Sequence, residues 1–257
     1  MRDLVLMTFN VRNSRGLDGR HVWWRRRRST TEIIRRPRPD VVGLQEVRHA
    51  QLHYLRSRLG EFDGVGAGRD DGHRQGEYCP VLWRRDRLRL EHWEVRWFSD
   101  TLRIPGSRGW GNRAPRMATL AWLADRSTGE PFGVAVTHLD PASTRSRMRS
   151  GQALIGWLGA EPGVPWVVLG DLNATVGDPV MVEMQAAGWR DALADLPVCG
   201  PGAATTHSFS GSVDGPRIDH ILIPCTWTVT RAEIVRERPM GRLPSDHWPV
   251  VAQVSWH

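Results

Sequence analysis

Short runs of valine, leucine and isoleucine recur from one end of the chain to the other, each closed by a polar or turn-forming residue. They occupy residues 4–11, 41–44, 81–83, 118–124, 132–137, 166–169, 218–223 and 250–255. Apolar, β-branched runs of this length between glycine, proline and asparagine read as buried strands. Between them, residues 21–36, 50–59, 143–158 and 180–187 carry the longer mixed pattern expected of helices. Many short strands with a few intervening helices predict a mixed α/β sandwich around two sheets. No repeat, low-complexity block or dividing linker interrupts the pattern, so residues 1–257 are expected to form one domain. The glycine-rich stretch 62–76 and the segment 100–113 are expected to be exposed loops. Thr30 and Thr31 before Glu32 have the form of a helix cap.

A chain of 257 residues, 40% hydrophobic and 25% charged, can bury an adequate core without a disulfide or a structural metal. Cys79, Cys199 and Cys225 are odd in number and lack paired spacing, so neither a disulfide framework nor a zinc site is indicated. A reducing, cytoplasmic setting is expected. No apolar run approaches the ~18 residues of a membrane span. The first ten residues read as a buried strand and not as a signal peptide. A net charge of +7 favours polyanionic partners. All 35 basic residues are arginine, which points to a coding bias; such a bias exchanges Lys for Arg without creating the excess.

Lone polar residues sit where the buried strands should end: Asn10, Glu46, His138, Asp171 with Asn173, Asp219 with His220, and Asp246 with His247. Burying such groups is costly unless they are paired or bind an ion. If those strand ends converge, they form an oxygen-rich cluster with histidines beside it. An all-oxygen set suits Mg²⁺ or Mn²⁺ over zinc or copper. Singly, each residue is explained as a turn former or a satisfied structural histidine. Six coincidences in one chain make that explanation poor.

The segments Thr8-Phe9-Asn10, Leu44-Gln45-Glu46, Thr137-His138-Leu139-Asp140, Gly170-Asp171-Leu172-Asn173-Ala174, Arg217-Ile218-Asp219-His220-Ile221 and Ser245-Asp246-His247-Trp248-Pro249-Val250 resemble, in order, those of the endonuclease/exonuclease/phosphatase superfamily. This is the group of deoxyribonuclease I, abasic-site endonucleases, deadenylases, sphingomyelinases and inositol polyphosphate 5-phosphatases. The resemblance implies a four-layer α/β sandwich, two mixed sheets face to face with helices outside, and a site at one end. It implies Glu46 as the principal Mg²⁺ (or Mn²⁺) ligand with Asn10 beside it, and Asp246 as a further ligand. Asp171 would activate the attacking water, Asn173 would hold the phosphate, and His247, oriented by Asp219, would contact the phosphoryl oxygen. His138 would face the phosphate from the other side. In the deoxyribonuclease branch a glutamate pairs with that histidine, and Glu77 is the matching candidate; the alternative is that Glu77 pairs with an arginine such as Arg84 or Arg85.

Residues 76–83, 105–110 and 113–116 resemble compact bacterial members with no firmly assigned substrate. Arg113 and Arg116 are candidates to touch substrate phosphates, against a role as surface arginines, and His207 in Thr205-Thr206-His207-Ser208-Phe209 is a candidate to line the pocket. The cluster from Trp23 to Arg28 invites a nucleic-acid reading. The preferred reading is an outer amphipathic helix, tryptophans inward and arginines solvated. The expected function is metal-dependent phosphodiester hydrolysis, with nucleic acid or nucleotide as substrate, no membrane span and a monomeric state. The alternative is a phosphatase or phosphodiesterase for a small molecule or lipid headgroup. A non-catalytic binding protein on the same scaffold is the remote one.

Overall fold

A computed structural model of the chain describes residues 2–161, 163–194 and 199–256. Its strands are, in chain order, β1 (Arg2–Asn10), β2 (Val41–Gln45), β3 (Phe62–Val65), β4 (Val81–Arg84), β5 (Leu88–Trp97), β6 (Met117–Asp125), β7 (Pro131–His138), β8 (Trp166–Asp171), β9 (Trp189–Asp191), β10 (Cys199–Gly200), β11 (Gly215–Pro216), β12 (Asp219–Pro224), β13 (Thr228–Ile234) and β14 (Val250–Trp256). The α-helices are α1 (Trp23–Arg35), α2 (His49–Arg58), α3 (Thr144–Gly159) and α4 (Pro179–Ala186). One six-stranded sheet runs β13-β14-β1-β2-β4-β3 and the other β5-β6-β7-β8-β12-β9; β10 and β11 form a small ribbon. Both large sheets are mixed, because β1–β2 and β7–β8 pair in parallel while the other neighbours are antiparallel.

Strand alternation decides what faces what, because successive side chains leave a strand on opposite faces. In β1, Leu4 and Leu6 enter the core between the sheets, whereas Met7 and Phe9 pack outward against Ile33, Ile34, Leu52 and Leu55 of α1 and α2. In β8, Val167 and Leu169 point inward while Trp166 and Val168 meet Leu154, Leu158 and Met181 of α3 and α4. The result is helix, sheet, sheet, helix, as expected. Gly43 lies at a close approach of the two sheets: a Cβ there would fall 2.8 Å from Leu169 and Val136 side-chain atoms.

The same parity positions the site. Asn10 is in phase with Leu4 and Leu6, His138 with Val134 and Val136, Asp171 with Val167 and Leu169, and Asp219 with Ile221 and Ile223. Every one of these polar residues therefore points between the sheets at one end of the sandwich. Register completes the alignment, with His138 opposite Asp171 across β7–β8 and Asp171 opposite Asp219 across β8–β12.

Three sequence expectations are corrected. Residues 62–65 are strand, not loop. Thr30 and Thr31 lie inside α1, their hydroxyls bonded to the carbonyls of Arg26 and Arg27 four residues back, so they do not cap it. In the Trp23–Arg28 cluster the pattern is partly inverted. Trp24 is 64% exposed, while Arg26 is 1% exposed. Its guanidinium donates to the carbonyls of Val11, Arg12, His21 and Pro244. These carbonyls lie outside the strands and α-helices, in the segment after β1, the turn before α1 and the loop before β14, and a guanidinium fork satisfies several at once. Burial lowers the Arg26 pKa to about 10, so it stays charged. Cys79 and Cys225 are free thiols. Among the described residues no helix is long and apolar enough to cross a membrane.

A second buried ionic cluster supports the site from behind. His220 donates from Nδ1 to Asp191 Oδ2 (3.0 Å) and from Nε2 to the Ala174 carbonyl (2.8 Å), with Arg217 3.3 Å from the same Asp191 oxygen. Both ring nitrogens face acceptors, so the ring is an imidazolium that pins the loop after β8. Burial opposes that charge, but Asp191 and the Ala174 carbonyl raise the His220 pKa. Burial also opposes ionisation of Asp191, and His220 and Arg217 lower its pKa nonetheless. The histidine's contribution is complete below its unfolded value of about 6.5 and is lost as pH rises through its higher folded value. The aspartate's is present above about 4 and is lost as pH falls through its lower folded value. His220→Ala is therefore expected to cost about 3 kcal/mol in urea unfolding near pH 6, with the gap to the parent narrowing in alkali. A gap under about 1 kcal/mol at pH 6 would refute the pin.

Candidate active site

Asp171 is the hub. Its Oδ2 accepts from Asn10 Nδ2 (3.0 Å) and its Oδ1 from the backbone N–H of Asn173 (3.0 Å). The same Oδ2 lies 3.6 Å from His138 Nε2 and 3.9 Å from His247 Nε2. Burial first, then the neighbouring Asp219, pushes its pKa up to about 7. His247 Nδ1 donates to Asp219 Oδ2 at 2.8 Å. Burial opposes its charge, but the charge and hydrogen bond of Asp219 raise its pKa to about 10. His138 is the opposite case: burial, with the charge of Arg116 behind it, lowers its pKa well below normal. One face of the cleft thus carries a fixed cation and the other a neutral imidazole, with a base of near-neutral pKa between them. Groups tuned apart in this way mark acid–base roles.

Glu46 follows β2 at a φ of +58°, a left-handed conformation that costs energy for a non-glycine residue and is common at functional sites. Its Oε1 accepts from Asn10 Nδ2 (3.1 Å), and its Oε2 accepts from both the backbone and the side chain of Asn13 (3.1 and 3.0 Å). Burial opposes its ionisation, but the facing histidines and these donors hold its pKa down at about 2. With His138 neutral, the Asn10 and Asn13 donors and the charge of His247 still favour the carboxylate form. Asn10 Oδ1 accepts from the Arg12 N–H (2.9 Å), which orients the amide so that Nδ2 lies between the two carboxylates. Asn10 thus tethers Glu46 to Asp171 through its Nδ2, beside the carboxylate that the resemblance makes the principal metal ligand.

Glu46 and Asp246 nevertheless face one point, where the Arg12 guanidinium lies 4.0 Å from the first and 3.7 Å from the second. Two carboxylates sharing a cation position, in a partly open site, fit a hard divalent ion. Asp171, Asp219 and His247 also place potential ligand atoms within 4.8 Å of one another. In that trio Asp219 Oδ2 is taken by the Nδ1–H of His247, while the buried Asp219 Oδ1 has no hydrogen-bond partner among the described residues.

The remaining expected residues divide. Asn173, at a φ of +48°, is beside the base, its Nδ2 donating to the Leu139 carbonyl (3.0 Å). His207 packs its ring 4.4 Å from Trp248 and donates its backbone N–H to the Asp246 carbonyl. Burial and then the charge of His247 lower its pKa to about 4. Arg116 is buried, donating to the His138 carbonyl (3.4 Å) 3.9 Å from Asp140, and so supports His138 from below. The Arg113 side chain is exposed while its backbone N–H donates to Asp140 Oδ2 (3.2 Å). The expected Glu77–His138 pair does not form. Glu77 is ion-paired with Arg69, neither of the arginines considered from sequence, and accepts from Asn13 Nδ2 (3.2 Å). The turn at 69–77 folds back through a backbone bond from Arg69 N–H to the Glu77 carbonyl (3.0 Å), which holds the two together. Asn13, Arg12 and Arg69 were not singled out by the sequence; polar residues in a loop carry no strand-end signal.

A sandwich whose two sheets converge on a base, a fixed imidazolium and a paired-carboxylate cation position has the layout of a metal-assisted phosphoester hydrolase. The chain belongs to the Endonuclease/Exonuclease/phosphatase family, whose sequence model matches residues 7–247. It is similar to an endonuclease/exonuclease/phosphatase from Bacteroides vulgatus, at 31% identity and TM-score 0.91, with 100% of both chains covered. It is also similar to a mannosyl-6-phosphatase from Bacteroides thetaiotaomicron VPI-5482, at 25% identity and TM-score 0.88, covering 98% of this chain and 100% of that one. Nocturnin from Drosophila melanogaster is 27% identical over 172 residues, 62% of this chain; the match spans only 25% of that protein's length. The fold is thus the deoxyribonuclease I-like sandwich, and the family and these neighbours are phosphoester-hydrolysing enzymes.

Proposed function

We propose that the protein is a divalent-metal-dependent phosphodiesterase acting on nucleic acid or nucleotides. The carrying observation is that Asp171 Oδ2 lies within 4 Å of both His138 Nε2 and His247 Nε2, so a phosphate held by the histidines has a base beside it. Asp171 orients the attacking water and takes its proton. The Nε2–H of His247 neutralises charge developing on a phosphoryl oxygen, and Asp219 keeps it there by holding Nδ1. His138 and Asn173 position the remaining oxygens. Glu46 and Asp246 would hold a hard divalent ion, which would supply further neutralisation of the phosphate charge. Asn10 fixes the distance between the Glu46 and Asp171 carboxylates. The net charge of +7 favours a polyanionic substrate.

A second reading, hydrolysis of a small sugar-phosphate monoester, draws on the likeness to the mannosyl-6-phosphatase and on the Glu77–Arg69 pair. That pair departs from the glutamate–histidine arrangement of the deoxyribonuclease branch. A cleavage panel separates the two: single- and double-stranded DNA, RNA, a bis-aryl phosphodiester and hexose phosphates, each with Mg²⁺, Mn²⁺ or EDTA. Cutting of a polymer and of the diester, lost in EDTA, is expected. Release of phosphate from the sugar phosphates alone overturns the phosphodiesterase reading, and activity unchanged in EDTA overturns the metal.

A further inference from the structure

Beside the site, five arginines surround a pocket of about 400 Å³ that the catalytic arrangement does not use. It is lined by Arg20 and His21 from the turn before α1, by Arg25 and Arg26 from its first turn, and by Arg238 and Arg242 before β14. No acidic residue lines it. Among the described residues none of these five arginines has a carboxylate within ion-pairing distance. The far end of α1 is different: there Arg35 pairs with Glu61, and Arg36 with Glu32 and Glu237. Asp18 and Asp246 act on Arg26 only from beyond ion-pairing distance. Like charges gathered without paired counter-charges repel one another, and a surface that keeps them is suited to an anion. Arg26, one wall of the pocket, is a buried cation whose partners are all carbonyls.

The pocket borders the catalytic cleft on its Asp246 side. Arg26 donates to the carbonyls of Arg12 and Pro244, and Arg12 in turn lies against Asp246. His21 stacks on Phe209, centroids 4.6 Å apart and planes 9° apart, and His207 two residues earlier is bonded to the Asp246 carbonyl. Arg238 lies over Trp248. Ser208 and Phe209 are consecutive non-glycine residues at positive φ, +46° and +61°, a strained turn that delivers the Phe209 ring to His21. The Arg20 Nε–H donates to His21 Nε2 (3.1 Å), which makes that ring a neutral acceptor. Burial and the neighbouring arginines lower its pKa accordingly.

We infer that this pocket is a second-phosphate subsite, which holds the neighbouring phosphodiester of a single nucleic-acid strand whose scissile phosphate lies between His138 and His247. The exposed Arg20, Arg25 and Arg242 take the phosphate oxygens by charge-assisted hydrogen bonds, and the His21–Phe209 stack offers a planar surface to the attached ring. The volume suits one nucleotide unit. This inference rests on the nucleic-acid reading of the site.

The test uses Arg20→Gln/Arg25→Gln/Arg242→Gln, all at exposed positions. Binding of a labelled single-stranded hexamer to Asp171→Asn protein, with and without the triple change, is measured across salt concentrations. The triple variant should bind at least about tenfold more weakly. Its slope of log affinity on log salt should be shallower by about 0.7 for each phosphate that the variant no longer neutralises. Hydrolysis of a bis-aryl phosphodiester, too small to reach the pocket, should stay within about twofold in an otherwise unaltered triple variant. Equal hexamer binding overturns the subsite while leaving the nucleic-acid reading intact; a parallel loss on the small diester shows a structural defect and overturns it too. Calorimetry with inorganic tripolyphosphate, free of divalent ions, examines the pocket apart from substrate class. Binding by the parent and not by the triple variant supports the anion site, and no binding by the parent overturns it. A hexamer neither bound nor cut, with the small diester still hydrolysed, overturns the nucleic-acid reading itself.

Discussion

Asp171→Asn is expected to lower kcat on a small phosphodiester by about 10³-fold, within the range for loss of a positioned general base. The expectation rests on a side chain that has been made a base at a cost to the fold. It is 2% exposed, lies beside Asp219, and has its pKa pushed up to about 7, first by burial and then by that neighbour. A carboxyl with a raised folded pKa is stabilising below its unfolded value near 4, and that contribution is lost as pH rises towards 7. At working pH the ionised form is therefore carried against the fold's interest. Asparagine removes that charge but turns an N–H towards one of two fixed donors, Asn10 Nδ2 or the Asn173 N–H. Those effects oppose each other, so the melting temperature should move by only about 5 °C either way. A circular dichroism melt and a steady-state assay on the same preparation decide the matter. Activity within about tenfold of the parent would remove Asp171 from the role of base. A collapsed melt would mean that the residue's contribution is structural.

Why this residue could be found in the sequence, and others could not, follows from strand geometry. Asn10, His138, Asp171 and Asp219 end or begin buried strands in phase with inward-facing aliphatics, so period-two alternation alone sends them to one end of the interior. The eight strands read from the sequence are those with apolar faces on both sides. β5 and β13 were not read, and both sit at sheet edges with half their residues charged or exposed, which blurs the apolar signal. The loop residues failed for a different reason. Glu77 was expected beside His138, yet a turn of backbone bonds between 69 and 77 brings it to Arg69, and no local pattern announces such a turn. Arg26 looked like one of four solvated arginines and is instead the donor hub for the segment after β1. Its role depends on carbonyls from residues up to 218 positions away. Patterning locates groups that strands carry inward; it is silent on groups that loops bring together.

Asp219→Asn should also cost about 10³-fold in kcat at pH 8, but by removing a charge from His247 and not by removing a base. Asp219 is fully buried, and its Oδ2 takes the Nδ1–H of His247 at 2.8 Å. Burial opposes the imidazolium, and Asp219 is the leading group that restores it, to a pKa of about 10. In the parent, activity should rise as Asp171 loses its proton near 7 and fall as His247 loses its own near 10. A bound divalent cation moves the first limb to lower pH, because it favours the carboxylate. With asparagine, the amide oxygen can keep the ring oriented, but the leading counter-charge is gone, Asp171 and Asp246 remain as the weaker ones, and burial then pulls the histidine's pKa down. The alkaline limb should shift down towards the acid limb and close the window in which base and cation coexist. Stability moves in the linked direction. The parent's His247 contributes fully below its unfolded value near 6.5, and that contribution is lost as pH rises through about 10. The variant should lack this slope. A pH–rate profile on the small diester and urea unfolding at pH 6 and 9.5 examine the two halves of the argument. An alkaline limb that stays in place in the variant would show that Asp219 orients His247 without charging it. The cation facing the phosphate would then have to come from another group.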